Sequence, residues 1–381
     1  MHSPVNVAYN AHTTHPGLSF SDRRVAIVHY WLVSMRGGER VLERLLRLFP
    51  NADIFTNVYN PENVSTAINR AGVTTSFVDR LPFSRRMYQY YLPLMPMALE
   101  GLDLSDYDLV ISSESGPAKG VITRPDATHL CYCHSPMRYL WDHYHQYRGM
   151  APPIARQVMP FLYHRLRQWD VSSSARVDQF VANSNFIRKR IRKVWRREAE
   201  VIHPPVETEL FRPSEDVGDS YLWVGQMVPY KRPDLAVEAF NANGLPLTMV
   251  GTGSMLKRLK AKAKANITFI DRLDFASLKQ AYAQCRAFIM TAEEDFGITP
   301  VECMASGRPV IAYGRGGALD SVLNEETGLF FGQQTPESLA DAVERMERFL
   351  REFDPQRAIG HARTFSPEQF DRKFSRLVDL N

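Results

Sequence analysis

The sequence predicts an α/β protein of two doubly wound domains, each a parallel sheet covered by helices, facing each other across a cleft. Three observations predict it. Short apolar runs alternate with amphipathic stretches in both halves of the chain, and strands apolar on both faces belong to parallel sheets wrapped by helices. A length of 381 residues exceeds the roughly 250–300 at which a single core stops growing. Between the two sets of runs, Pro204-Pro205-Val206-Glu207 through Gly218-Asp219 gathers proline, acid and turn residues. The expected division is a first domain over 1–205, a second over 206–363 and a closing helix over 364–381.

In chain order, the apolar runs place strands at 25–30, 53–56, 108–112, 129–133, 180–183 and 201–203 in the first half. In the second they fall at 221–225, 247–251, 267–270, 287–291, 310–313 and 329–331. Helices are expected over 40–48, after Gly37-Gly38-Glu39, and over 255–264, after Gly251-Thr252-Gly253-Ser254. Thr364-Phe365-Ser366-Pro367-Glu368 opens a last helix running to 377. By analogy with this fold class, that helix crosses back to the first domain as a hinge strap.

Composition narrows the setting. The 44% apolar content is ordinary for a soluble globular enzyme. No run approaches the ~20 uncharged apolar residues of a membrane helix, and residues 1–22 lack a charged start followed by an apolar core. A cytoplasmic protein with a frayed N-terminus is expected. Cys131 and Cys133 alternate beside His134, yet Cys285 and Cys303 supply no second C-x₂₋₄-C pair, so buried thiols are expected rather than zinc. The net charge of +4 is small and no recognition fold accompanies the basic run at 188–197, which disfavours nucleic acid.

The segment Glu294-Asp295-Phe296-Gly297-Ile298-Thr299-Pro300-Val301-Glu302 reads as loop and helix start at the open end of a sheet, where α/β proteins bind ligands. Thr299 suits an N-cap, Pro300 the first helical position and Glu302 the third, a capping box. A well-capped helix explains Glu302 but leaves Glu294 without a structural task. The amides of Gly297, Ile298 and Thr299 would point out of the helix start, where donors and dipole favour a phosphate.

Other motifs sit where such a cleft needs them. Gly37 and Gly38 let backbone approach a ligand closely. Gly225-Gln226-Met227-Val228-Pro229-Tyr230-Lys231-Arg232 places cations after the first strand of the second domain. Gly251-Thr252-Gly253-Ser254 stops short of G-x-G-x-x-G because Leu256 holds the last glycine position, which disfavours a dinucleotide oxidoreductase. Pro136 disfavours helix at Ser135, so His134 ends a strand and faces the cleft.

Together these residues resemble the large retaining glycosyltransferase family 4 (GT4), with the two-domain GT-B fold. The resemblance spans nearly the whole chain: Gly37-Gly38-Glu39, His134-Ser135-Pro136, Ala182-Asn183-Ser184, Ile202-His203-Pro204-Pro205-Val206, Lys231, Gly251-Thr252-Gly253, and Glu294-x₇-Glu302 with Phe296-Gly297. Within the family, residues 133–142 and 228–234 are most similar to bacterial mannosyltransferases of surface polysaccharide assembly, such as the acetan and xanthan enzymes. These use GDP-mannose and a polyprenyl diphosphate-linked acceptor.

The resemblance implies an acceptor-binding first domain and a nucleotide-sugar-binding second domain. Glu294 would bond donor-sugar hydroxyls, and Gly297, Ile298 and Thr299 would hold sugar and diphosphate through their amides, beside Phe296. Glu302 would grip the ribose while capping its helix. Lys231, with Arg232 nearby, would neutralise the diphosphate. Gly37, Gly38, Gly251 and Gly253 would line the phosphate face, and His134 would contact the sugar near C6 or orient the carbonyl facing the anomeric carbon. Asp271 and Arg272 lie in a loop that reads base and sugar. Relatives carry an arginine where this chain has Gln226, so Arg232 or another cation must compensate or donor binding weakens. No cofactor and no metal are implied, because backbone dipoles and lysine supply the electrostatics. Front-face attack is favoured, since no carboxylate is placed for a covalent route.

The partners implied are a nucleotide sugar and a lipid-linked saccharide acceptor at the inner face of the cell membrane. The basic run 188–197 and the aromatic stretch 87–97, behind Arg85 and Arg86, would meet an anionic surface; the plainer readings are a solvated helix face and ordinary core. A GT4 enzyme using a UDP-sugar and a non-catalytic carbohydrate-binding relative are the alternatives. The latter would be expected to lose His134, Lys231 or Glu294, and all three are present.

Overall fold

The computed structural model describes residues 23–379; the leader assigned to 1–22 lies outside the described residues. Thirteen strands are described, β1 Val25–His29, β2 Asp53–Thr56, β3 Val73–Thr75, β4 Leu109–Glu114, β5 Thr128–Cys133, β6 Gln179–Ala182 and β7 Ala199–Val201, then β8 Tyr221–Val224, β9 Leu247–Val250, β10 Ile267–Ile270, β11 Phe288–Met290, β12 Val310–Tyr313 and β13 Gly328–Phe331. They form two parallel sheets, ordered β3-β2-β1-β4-β5-β6-β7 and β10-β9-β8-β11-β12-β13. The two doubly wound domains expected from the apolar runs are therefore present. The central strands are buried along their whole length, as in β1 and β4.

One strand, β3, is unexpected, and several boundaries shift by one or two residues, that of β7 among them. β3 is a three-residue edge strand, Val-Thr-Thr, with no fully buried position, too short to print a pattern. The last strand of the first sheet pairs Ala199 with Phe180 and Val201 with Ala182, earlier than expected. Ile202 is buried but leaves the ladder after one bond from its N–H to the Ala182 carbonyl, because Pro204 and Pro205 follow and cannot donate.

Strand order reverses between β1 and β4 in the first sheet and between β8 and β11 in the second. Crevices at such switch points, beyond the carboxyl ends of the strands, are where open α/β sheets bind ligands. The loops after β1, β8 and β11 lead to Gly37, Lys231 and Glu294.

The chain crosses between sheets twice. After the helix Pro355–Ala362, whose Ala358 and Ala362 pack with Val206 and Phe296 in the second half, the helix Pro367–Asp379 buries Phe370, Phe374, Leu377 and Val378 against the first sheet. Each such side chain contributes about 1.5–3 kcal/mol. Arg44 grips Asp371 through two hydrogen bonds. Where the crossings meet, the Val206 N–H donates to the Phe365 carbonyl at 2.9 Å.

Candidate active site

Both switch points open onto one cleft. The helix Gly37–Leu48 starts on the first side and the helix Ile298–Ala305 on the second. A Cβ built on Gly37 would lie 3.2 Å from Ile298 Cδ1, so the two helix starts meet. A Cβ on Gly38 would lie 3.0 Å from the Tyr30 hydroxyl and 3.5 Å from His134 Nε2. A side chain at Gly38 would thus crowd the Tyr30 hydroxyl and touch His134.

On the second side, Lys231 Nζ lies 3.0 Å from Glu294 Oε1, and both side chains are 24% exposed. Burial alone would lower the Lys231 pKa, but Glu294 beside it prevails and raises it above the ordinary lysine value. Lys231 is therefore a cation. Its carbonyl accepts from Thr291 Oγ1 at 2.7 Å, and Thr291 Oγ1 accepts from Trp223 Nε1 at 3.1 Å. That anchors the lysine loop to the carboxyl end of β11.

The capping box at Thr299 and Glu302 is not formed. Gly297 takes the left-handed conformation, φ +88°, and starts the helix at Ile298, two residues earlier than a Thr299 cap requires, with no side-chain cap. Glu302 consequently faces sideways and is buried. Its Oε1 accepts from Arg40 Nη1 of the first half at 3.2 Å and its Oε2 from the Tyr282 hydroxyl at 3.1 Å. Burial raises its pKa, against Arg40 and Tyr282. The first-turn amides are left without a side-chain acceptor, the arrangement that suits an anion.

Phe296 does not face the cleft. It is buried, stacks on His203 at 5.4 Å and meets Phe365 edge-on at 5.4 Å, so it ties the Glu294 loop to the crossing point. Gly251 and Gly253 are required by backbone packing: a Cβ would lie 1.9 Å from the Gly225 oxygen at one and 2.4 Å from the Met227 oxygen at the other. They shape the loop that carries Gln226, which is exposed. Arg232 directs its guanidinium at Asp234, at 3.1–3.3 Å. Asp271 pairs with Lys260 at 3.2 Å and is 62% exposed; Arg272 is exposed in the same loop.

On the first side, the His134 N–H donates to the Glu114 carbonyl at 2.8 Å and its own carbonyl accepts from Asn183 Nδ2 at 3.0 Å. His134 Nε2 lies 2.9 Å from Ser113 Oγ. Burial, helped by His29, pushes the His134 pKa down to about 3, so the ring is neutral at working pH.

Sequence reasoning missed the residues that join the halves. Asp295 lies 3.6 Å from Arg138 and 3.4 Å from Arg190, and its carbonyl accepts from Ser184 Oγ at 2.5 Å. The Asn185 N–H and Nδ2 both donate to Asp320, each at 2.6 Å. The available signals were the carboxylate inside the signature and Ser184 in Ala182-Asn183-Ser184. Arg190 is thereby withdrawn from the basic run, and Arg197 bonds the carbonyls of Ser174 and Val177 at 2.7 Å each.

Beside Asp295, a cavity of about 310 Å³ is lined by Trp31, Arg36, Arg138, Tyr139, Tyr147 and Tyr163 among others. Arg138 Nε and the Tyr139 hydroxyl are buried without hydrogen-bond partners. Farther out, Tyr90 (71%), Met97 (60%) and Phe83 (74%) are exposed, as are Ile154 and Phe161; much of the 87–97 stretch is therefore surface, while Leu92 and Met95 are core. All four cysteines are free and buried. Among the described residues, no cluster of three His, Cys, Asp or Glu is arranged for a metal, and no helix is long and apolar enough to cross a membrane.

Residues 35–210 match the family Glycosyltransferase Family 4, and residues 213–350 match Glycosyl transferases group 1. Similar curated proteins include an uncharacterized glycosyltransferase of Methanocaldococcus jannaschii, 25% identical over 52% of this chain and 56% of that one. A D-inositol 3-phosphate glycosyltransferase of Acidothermus cellulolyticus is 29% identical over 57% and 54%. A GDP-mannose-dependent alpha-(1-6)-phosphatidylinositol monomannoside mannosyltransferase of Mycobacterium tuberculosis is 28% identical over 53% and 58%. The chain thus spans about half the length of the curated relatives it matches. Among solved structures, Anabaena HepE with UDP and glucose has a TM-score of 0.68 at 15% identity, covering 94% of this chain and 99% of that one. Sucrose-phosphate synthase from Thermosynechococcus elongatus gives 0.71 at 17% over the same shares. Their shared architecture is the GT-B fold.

Proposed function

The chain belongs to the family 4 and group 1 glycosyltransferases, and from that premise we propose that it transfers a hexose, with retention, from a nucleoside diphosphate sugar to a saccharide acceptor. The observation that carries this reading is the Lys231 and Glu294 pair at 3.0 Å, beside the uncapped start of the helix Ile298–Ala305 and opposite Gly37 and Gly38. The donor diphosphate rests on the amides of Ile298 and Thr299, with Lys231 against its charge. Glu294 accepts hydroxyls of the sugar, and Glu302, braced by Tyr282, accepts those of the ribose. The leaving diphosphate takes the acceptor's proton in front-face attack, because Glu294 is engaged by Lys231 and no other carboxylate is assigned behind the anomeric carbon. The site relies on fixed dipoles and cations and needs no metal.

GDP-mannose is the donor we favour, supported by the resemblance at 133–142 and 228–234 and by mannosyltransferase relatives of that donor class. A UDP-sugar is the second reading, favoured by the likeness to HepE, whose structures contain UDP and UDP-glucose. The acceptor we propose is a polyprenyl diphosphate-linked saccharide of surface polysaccharide assembly. Its head would enter the cavity at Trp31 and Arg138, and its lipid would leave past the exposed aromatic stretch. This would set the protein against the inner face of the cell membrane.

A thermal-shift panel of GDP-, UDP- and ADP-sugars tests the donor. A cognate sugar at 100 times its Kd adds about 2.7 kcal/mol of stability, so GDP-mannose should give the largest shift. A larger shift with UDP-glucose would transfer the assignment to UDP, and silence across the panel would count against donor binding altogether.

A further inference from the structure

Glu39 is the one residue of the Gly37-Gly38-Glu39 motif to which donor binding gives no task, and it is 2% exposed. The bland explanation is helix capping, since its Oε2 accepts from the Arg36 N–H at 2.9 Å. That accounts for one oxygen only. The other, Oε1, lies 3.6 Å from His29 Nε2, a nitrogen that is fully buried and has no hydrogen-bond partner. On the far side of the ring, His29 Nδ1 lies 3.0 Å from Ser113 Oγ, and the same hydroxyl lies 2.9 Å from His134 Nε2. Glu39, His29 and Ser113 thus form a buried line ending on the histidine that closes β5 at the cleft.

Two proton orders satisfy the Ser113 contacts when His29 is neutral, and the Glu39 carboxylate 3.6 Å from Nε2 selects the one that turns a proton, not a lone pair, toward it. A carboxylate can only accept. His29 therefore turns its single proton, on Nε2, toward Glu39, leaving Nδ1 as an acceptor. The Ser113 hydroxyl has one proton and gives it to His29 Nδ1. Its oxygen then accepts from His134, which must carry its proton on Nε2. Which ring nitrogen of a histidine is protonated is set by the hydrogen bond the other makes or receives. Nδ1 of His134 makes no hydrogen bond among the described residues and is left as a bare acceptor.

We propose that Glu39 is a positioning residue that, through His29 and Ser113, locks His134 as its Nε2-protonated tautomer and so presents Nδ1 to accept a hydroxyl in the cleft. That hydroxyl belongs to the donor sugar if the glycosyltransferase reading holds. The tautomer itself does not depend on that reading. The ordinary shift of Glu39 agrees: burial would raise its carboxyl, but His29 and nearby amides bring it below the usual value, so it stays an anion. Gly38 packs beside both rings, where a Cβ would lie 3.6 Å from His29 and 3.5 Å from His134.

The test uses the full chain with ¹⁵N-labelled histidine and long-range proton–nitrogen correlation, with His134→Asn to assign the signals. In the wild type, His134 Nε2 should be pyrrole-like and Nδ1 pyridine-like. In Glu39→Gln, which can donate as well as accept, the single tautomer should be lost. Ser113→Ala should do the same, and it serves if Glu39→Gln fails to fold by circular dichroism. A pyridine-like Nε2 in the wild type, or an unchanged pattern in a folded Glu39→Gln or Ser113→Ala, overturns the proposal. Where transfer is measurable, Glu39→Gln should lower kcat about 10- to 100-fold with little change in donor KM, the scale of loss when a group orienting a functional histidine is removed. Absence of transfer with every donor, alongside the expected spectra, would reject the enzymatic reading and leave the relay standing.

Discussion

The two sides of the cleft are built on opposite physics. On the first side the polar groups are sealed in: Ser113, Glu114, Lys119 and His29 are fully buried, and each finds partners within its own half. On the second side Lys231 and Glu294 are each 24% exposed and paired across only 3.0 Å. A sealed group is oriented by its neighbours and gains little from a ligand, whereas a half-exposed pair can exchange its partner for one. The first side therefore holds geometry, and the second supplies charge to whatever enters.

Replacing Glu294 by alanine should separate these roles most sharply. If it bonds the reacting sugar, turnover should fall about 10²- to 10³-fold, the range for loss of one preorganised polar contact at a reacting centre. Stability should move by less than about 1 kcal/mol, because a partly exposed ion pair contributes little. Glu302→Ala is the counterpart: it leaves the buried Tyr282 hydroxyl without its partner and should cost about 1–3 kcal/mol of stability as well as activity. Chemical denaturation beside steady-state kinetics would decide. Equal destabilisation by both replacements, or substantial turnover in Glu294→Ala, would erase the distinction.

The sealed side predicts a pH dependence of its own. Burial pushes the Glu114 carboxyl up to about 7, with Asp170 adding to the rise and Lys119 opposing it. Lys119 lies 3.5 Å from Glu114, pairs with Asp170 and sits over the Trp195 ring at 4.4 Å. A carboxyl raised in the folded state binds its proton there more tightly than in the unfolded chain. Its contribution is present in full below the unfolded value of 4.5 and is lost as pH rises through about 7. Stability should therefore decline over that window by about 2–3 kcal/mol, and Glu114→Gln should flatten the decline. Denaturant midpoints across pH provide the measurement; stability that climbs from pH 5 to 7 through this residue would contradict the burial argument.

The same contrast explains what was legible in the sequence. Strands buried on both faces print as continuous apolar runs, so the sheets, their order of appearance and the turn from β11 to Glu294 could be read. The three-residue β3 could not, because an edge strand with no buried position leaves no pattern. The capping box at Thr299 failed because the left-handed Gly297 moves the helix start by two residues, which composition does not reveal. Phe296 was placed at the donor because it lies in the signature, but its side chain turns to His203 and Phe365, a direction set by the crossing point. The contacts of Asp295 with Arg138 and Arg190 join positions more than 100 residues apart, and nothing local announces them.

The subtlest test concerns Gln226, where the family resemblance leads one to expect an arginine. Arg232 cannot fully replace it, since Asp234 already engages its guanidinium. Arg36 is better placed: it precedes Gly37, is exposed, lines the cavity beside Asp295, and is close enough to oppose protonation of Lys231. Among the described residues it forms no ion pair, so its charge is uncommitted until an anion enters. A charge-assisted hydrogen bond is roughly twice as strong as a neutral one, so Arg36→Gln should weaken binding of the nucleoside diphosphate about tenfold, with the loss shrinking at high salt. Gln226→Arg in the wild-type background should then gain little, because the position is already served from the opposite side, yet it should restore most of the affinity lost in Arg36→Gln. Titration calorimetry with GDP on the four proteins of that cycle measures the coupling. Full gain from Gln226→Arg alone would mean that the second side works unaided, and that the first contributes geometry without charge.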